Sequence, residues 1–280
     1  MKRFFNEKFS SERALYAEKG VVLSACVFAG EEDGESALKE SENVELINCK
    51  MQLRYPLWHV KNATLTGCEQ TETCRAALWY CKGVKIDKSV LGGIKALREC
   101  SNVNINLSTV NSAEFGWKSS CVEVRDSKVN GEYAFFQSEN VTFNNVEFGG
   151  KYSFQYCKNL TIKNSILNTK DAFWHADNVR VENCTVKGEY LAWYSNNVTF
   201  VNCKIIGTQP LCYCNNLTLI NCTMEDADLA FEYSDVKADI KGEILSVKNV
   251  KSGEIVADKI GEIIAENSVY PLEAKIAIRK

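Results

Sequence analysis

Asp171 and His175 are the residue pair best equipped for proton transfer, a carboxylate and an imidazole four positions apart. The chain has only two histidines, so each one carries weight. Each member of the pair has tyrosines 19 positions away on either side. Tyr152 and Tyr190 flank Asp171, and Tyr156 and Tyr194 flank His175. Aromatic rings interleaved with polar groups suit sugar rings, whose C–H faces pack on π systems while their hydroxyls find hydrogen-bond partners. Asp171 and His175 could then serve as acid and base across a bound substrate. The same spacing of 19 sets Trp79, Arg98 and Trp117 in one series, and Trp174 and Trp193 in its continuation. A guanidinium between two indoles can stack on both, and it suits a carboxylate or other anion. The competing reading pairs Arg98 with Glu99 or Glu114, or has it end the column at the surface. For the aromatic series as a whole, the competing reading is a cross-strand ladder that stabilises a sheet.

A recurrence of 19 implies a repeating element. Asn-Val or a close equivalent recurs at Asn43, Asn62, Gly83, Asn102, Cys121, Asn140, Asn159, Asn178, Asn197, Asn216 and Asp235, with one step of 21 between Asn62 and Gly83. A looser first copy at Gly20 carries an acidic insertion at Glu31–Gly34. Within a repeat, Val198, Phe200, Cys203 and Ile205 alternate with Thr199, Val201 and Lys204, the period of a strand. Asn202 breaks the alternation, as a residue tolerant of left-handed geometry does at a corner. A second corner carries Gly93, Gly131, Gly150, Gly188 and Gly207, suited to positive φ. Short strands, a fixed coil and two turn columns describe a parallel β-solenoid. The coil divides neither into sixes nor into fives. The expected fold is therefore all-β, a single-stranded right-handed parallel β-helix of about twelve coils. It forms one domain over 1–280, with an N-terminal cap at 1–19, coils over 20–253, and tapering coils with a C-terminal cap over 254–280.

Equivalent positions now read as columns. All five tryptophans share one: Trp58, Trp79, Trp117, Trp174 and Trp193. The next column holds both histidines, His59 and His175, with Tyr80, Tyr156, Tyr194 and Tyr213. A third holds Tyr55, Tyr133, Tyr152, Asp171 and Tyr190. Strict alternation puts the Asp171 and His175 columns on one face, roughly 13 Å apart along a strand. Their charged members place that face outside and most tryptophans inside. The intervening Leu57, Leu78, Leu97, Phe135, Phe154 and Phe173 column resists this, since it would be exposed. A bulge would turn it inward and the tryptophans outward.

Ten of thirteen cysteines lie in two small-residue columns beside serines. They read as packing thiols, with no metal site, since no Cys-x-x-Cys occurs. No cofactor is expected. The net charge of −3 argues against nucleic-acid binding, and no run of 18 apolar residues suggests a membrane span. No export signal is visible, so a cytoplasmic location is expected. The Asn-x-Thr triplets, such as Asn140-Val141-Thr142, arise from the repeat itself.

Ser11-Glu12-Arg13-Ala14-Leu15, Pro56-Leu57-Trp58, Asp171-Ala172-Phe173-Trp174, Leu191-Ala192-Trp193 and Leu229-Ala230-Phe231-Glu232-Tyr233-Ser234, set in these repeats, resemble an uncharacterised bacterial family. That family has a right-handed parallel β-helix related to the pectin-lyase-like fold. The resemblance covers essentially the whole chain and implies the fold, with no assigned reaction. Many pectin-lyase-like proteins act on polysaccharides, which implies an oligo- or polysaccharide partner by analogy. The clustered aspartates of polygalacturonases and the acidic calcium sites of pectate lyases are not evident. The leading expectation is carbohydrate binding along an aromatic face, through Tyr152, Tyr156, Tyr190, Tyr194, Arg98, Trp79, Trp117, Trp174 and Trp193. The alternatives are a polysaccharide lyase or glycoside hydrolase using Asp171 and His175, and a scaffold without a small ligand. Oligomeric state does not follow from the sequence.

Overall fold

A computed structural model describes residues 1–30 and 35–280. The acidic insertion at Glu31–Gly34 lies outside the described residues. The described chain is all-β, a parallel solenoid of about fourteen turns with a spacing near 19 residues. It forms two compact units, Met1–Thr142 and Phe143–Lys280.

In the first unit, six-residue strands stack in parallel. Glu42–Ile47 pairs with Lys61–Thr66, which pairs with Lys82–Asp87, so Val44, Ala63 and Val84 align. A second column of two-residue strands, Lys50–Met51, Glu69–Gln70 and Val90–Leu91, runs beside it. The first segment is itself a coil rather than only a cover, for Lys2–Phe5 pairs with Lys19–Ser24. In the second unit, Lys158–Lys163, Asp177–Glu182 and Asn196–Val201 repeat the arrangement, with Leu160, Val179 and Val198 aligned. Toward the end the coil shortens. Asp235 pairs with Ser252, a step of 17 where most earlier coils take 19.

The inward columns are apolar and dry. Leu46, Leu65, Val84, Val103, Val181 and Phe200 are at most 1% exposed. Each such side chain contributes about 1.5–3 kcal/mol on burial. The asparagine corner has its expected geometry, with Asn202 at φ 52° and Asn183 at φ 54°. Its side chains also bond from coil to coil, as Asn202 Nδ2 donates to Asn183 Oδ1 at 3.1 Å. The glycine corner is more varied. Gly93 and Gly207 have positive φ. Gly131 and Gly188 do not, and a Cβ there would lie 2.2 Å from the Ser112 carbonyl oxygen and 1.5 Å from that of Thr169.

The third side of the coil departs most from expectation. Along Tyr55-Pro56-Leu57-Trp58-His59, every second residue is left-handed, at φ 57°, 61° and 55°. Asp171, Phe173 and His175 do the same. The alternation turns successive amides to opposite neighbours. Asp171 and His175 donate to the Glu189 and Trp193 carbonyls of the following coil, while Phe173 donates back to Ser153. Each left-handed non-glycine residue costs about 1–2 kcal/mol. The paired amides offset that cost, since an unpaired buried amide costs a comparable amount. The consequence is that simple strand parity fails here. Leu57, Leu97, Phe135 and Phe173 are fully buried, and the tryptophans, expected inside, sit half-buried on the outer wall.

Candidate functional site

The outer wall of the third side carries two aromatic ladders. In the second unit, Tyr156, His175, Tyr194 and Tyr213 form a continuous stack. Successive centroids are 4.9, 5.2 and 4.6 Å apart, and the rings lie within 14° of parallel. Tyr156, His175 and Tyr194 are exposed. The ring faces are covered by one another, so the stack presents its edges, phenol oxygens and imidazole nitrogens outward. Tyr233 and Tyr270 extend the column with tilted and edge-on contacts. Burial and the Glu232 carboxylate push the Tyr213 phenol up to about 12.

Beside this stack, Trp174 and Trp193 lie parallel at 5.5 Å. Their indole N–H groups donate to the Tyr190 and Gln209 carbonyls of the next coil at 2.6 and 2.8 Å. In the first unit Trp79 and Trp117 bond the Lys95 and Tyr133 carbonyls in the same way. Gln155 takes over this role where tryptophan is absent, donating to the Asp171 carbonyl. The tryptophan column therefore both packs and ties coil to coil. This is the cross-strand ladder weighed against binding above.

Arg98 stacks as its neighbours suggest, with its guanidinium carbon 5.0 Å from the Trp79 centroid and 4.7 Å from that of Trp117. Lys39 lies over Trp58, which stacks on Trp79 at 5.0 Å. The expected alternative of pairing with Glu99 or Glu114 does not occur, since Glu114 instead faces Lys95 at 3.7 Å.

Asp171 lies on the inner side of this wall rather than outside. It is 5% exposed, and among the described residues no side chain bonds its carboxylate. Burial raises its pKa; Lys170 opposes the rise and Glu189 adds to it. Lys170 itself is held by Glu189 at 2.7 Å. Tyr152 and Tyr190 are half-buried in the same column. The residues between Asp171 and His175 form a turn with left-handed positions and not the strand on which the column spacing was reckoned.

The cysteine columns hold free, buried thiols, and Cys121 alone is exposed. Their shared role with serine has a hydrogen-bond basis. The Ser108 hydroxyl donates to the Asn106 carbonyl at 2.7 Å and accepts from the Ser89 amide at 3.0 Å. Cys100 does the same, donating to the Leu78 carbonyl at 2.9 Å and accepting from the Cys81 amide at 3.3 Å. The column thus selects a small side chain that both donates and accepts. Among the described residues, no three His, Cys, Asp or Glu side chains converge as a metal site would need.

One feature that the sequence reading missed is an open depression of about 550 Å³ on the first unit, lined by Asn62, Thr64, Gly83, Lys85, Asn102 and Glu123 among others. Its signal is Gly83, which interrupts the asparagine column.

A single family profile spans residues 2–278. The chain belongs to the DUF3737 family. That family is described as one of unknown function. No curated protein matches the sequence. Among solved structures, the mannuronan C-5 epimerase AlgE6 A-module of Azotobacter vinelandii is similar over 98% of this chain and 88% of its own. The identity is 9% and the TM-score 0.35. The catalytic domain of a GH87 alpha-1,3-glucanase, solved with tetrasaccharides, matches over 100% and 64%, at 10% identity and a TM-score of 0.34. A family 28 exopolygalacturonase of Yersinia enterocolitica matches over 99% and 72%, at 9% identity and a TM-score of 0.26. For this DUF3737 chain, the case for a ligand therefore rests on its own ladders.

Proposed function

We propose that this DUF3737 protein binds a carbohydrate chain along the Tyr156–His175–Tyr194–Tyr213 ladder. The observation that carries the reading is the ladder's regular ring stack on the outer wall, with centroids 4.6 to 5.2 Å apart. An extended hexopyranose residue advances its polymer by a comparable length. A chain lying along the solenoid then offers about one sugar per coil. Because the rings already stack on each other, recognition runs through hydroxyl-to-hydroxyl bonds and not through flat ring contacts. Glycan-array binding tests this. Tyr194→Phe keeps the ring stack and removes one hydroxyl, and is expected to weaken binding about 2- to 10-fold. Tyr156→Ala and Tyr194→Ala are expected to weaken it further. Binding to no glycan, or full binding by Tyr194→Phe and both alanine variants, would sink the reading.

A second reading is favoured by Asp171, a carboxyl that is 5% exposed and has a raised pKa on the same coil as His175. In a glycan lyase or hydrolase it would supply the proton. Asp171→Asn is expected to abolish any turnover detected, and unchanged turnover removes this reading.

A further inference from the structure

We propose that Arg98 is a receptor for a carboxylate ligand on the outer wall of the first unit. The inference stands on that unit's geometry and is independent of the carbohydrate ladder in the second.

Arg98 occupies a column in which five other members tie one coil to the next. Trp79, Trp117, Gln155, Trp174 and Trp193 each donate a side-chain N–H to the carbonyl sixteen residues ahead. The corresponding carbonyl for Arg98 belongs to Glu114, and Arg98 makes no bond to it. Among the described residues, no side chain or carbonyl accepts from the guanidinium at all. Five N–H donors are thus left over at a position where an indole or an amide would have done the structural work.

Those donors are held in place. Trp79 and Trp117 cover both guanidinium faces, at 5.0 and 4.7 Å. The two indoles are themselves fixed at their edges by bonds to Lys95 and Tyr133. Arg98's backbone bridges to Trp79, and its N–H donates to the Leu78 carbonyl at 3.3 Å. The side chain is half-buried, so its rotamer entropy is already spent before any ligand arrives. A planar fork with covered faces and an open rim matches a carboxylate edge-on, through two parallel N–H···O bonds.

The surrounding charges leave room for an anion. Glu114 is engaged by Lys95 at 3.7 Å. Lys118, one position after Trp117, is exposed and adds a second cation. Glu99 is the competitor next to Arg98 in the chain. It is exposed and forms no ion pair with Arg98, so an external carboxylate meets repulsion from it but not occupancy.

The test uses the indoles as reporters. Tryptophan fluorescence of the full chain is titrated with sodium acetate, sodium glucuronate, sodium sulfate and glucose at constant ionic strength. Saturable binding of acetate and glucuronate is expected, with none for glucose. A stronger response to glucuronate than to acetate would place the carboxylate on a sugar. Equal responses would place the recognition in the carboxylate alone. Arg98→Lys should weaken binding at least 10-fold, because an ammonium cannot offer the fork. Arg98→Trp should abolish it while keeping the thermal midpoint, because an indole restores the bond to the Glu114 carbonyl. Glu99→Gln should tighten binding several-fold. The proposal is overturned by non-saturable responses to every anion, by sulfate binding as well as the carboxylates, or by Arg98→Trp binding like the wild type. Failure here leaves the Tyr194→Phe result on glycans untouched, so the two readings fail separately.

Discussion

Asp171 sets a carboxyl where, among the described residues, nothing hydrogen-bonds it. Burial pushes its pKa up and Lys170, already engaged by Glu189, only partly relieves it. A raised folded-state pKa favours the protonated form, so its linkage to stability has a definite sign. The stability tied to protonation is fully present below the unfolded value of about 3.9 and is lost as pH rises through the folded value. At neutral pH the residue therefore destabilises the fold. Asp171→Asn is expected to stabilise the protein at pH 7, and to do so much less below pH ~4. Thermal melts at both pH values measure this, and an equal gain at both would contradict it.

At the scale of the element, the third wall of each coil decides what is displayed. Its left-handed residues at every second position put Phe173 inside, Trp174 on the wall and His175 at the surface. The corner before that wall is equally constrained. A Cβ on Gly188 would stand 1.5 Å from the Thr169 carbonyl oxygen, a backbone atom that cannot swing away. Gly188→Ala is expected to cost about 3 kcal/mol or more, read from denaturant melts. It should also weaken any glycan binding, since Tyr190 and Tyr194 follow directly in the chain.

For the molecule as a whole, strands of one coil pair with those of the next, as Glu42–Ile47 does with Lys61–Thr66 and Asp177–Glu182 with Asn196–Val201, so stability is largely a sum over adjacent coils. Leu57 is fully buried in the first unit, and Leu57→Ala is expected to cost about 2–5 kcal/mol. Hydrogen exchange should show the loss concentrated in Glu42–Ile47 and Lys61–Thr66, while the amides of Asn196–Val201 in the second unit stay protected. Uniform deprotection of both units would contradict this.

Much of this was legible in the residues themselves. The spacing of 19 aligns Val198 with Leu217 in the sequence, and the strands pair them in that register. Asn202 announced its left-handed corner, and the cysteine and serine columns announced a small buried site. Arg98 between Trp79 and Trp117 announced its stack. These features are periodic, and a parallel solenoid turns sequence period directly into spatial neighbourhood. The outward face of the third wall was different. Leu57, Phe173 and their column-mates adopt positive φ, which leucine and phenylalanine do not signal. Side-chain parity depends on that backbone state, and the state is fixed by amides bonding to the coils on either side. So the sequence by itself determined which residues stack on which. Only the tertiary structure decided which columns face solvent, that Asp171 is buried, and that Arg98 makes no side-chain hydrogen bond among the described residues.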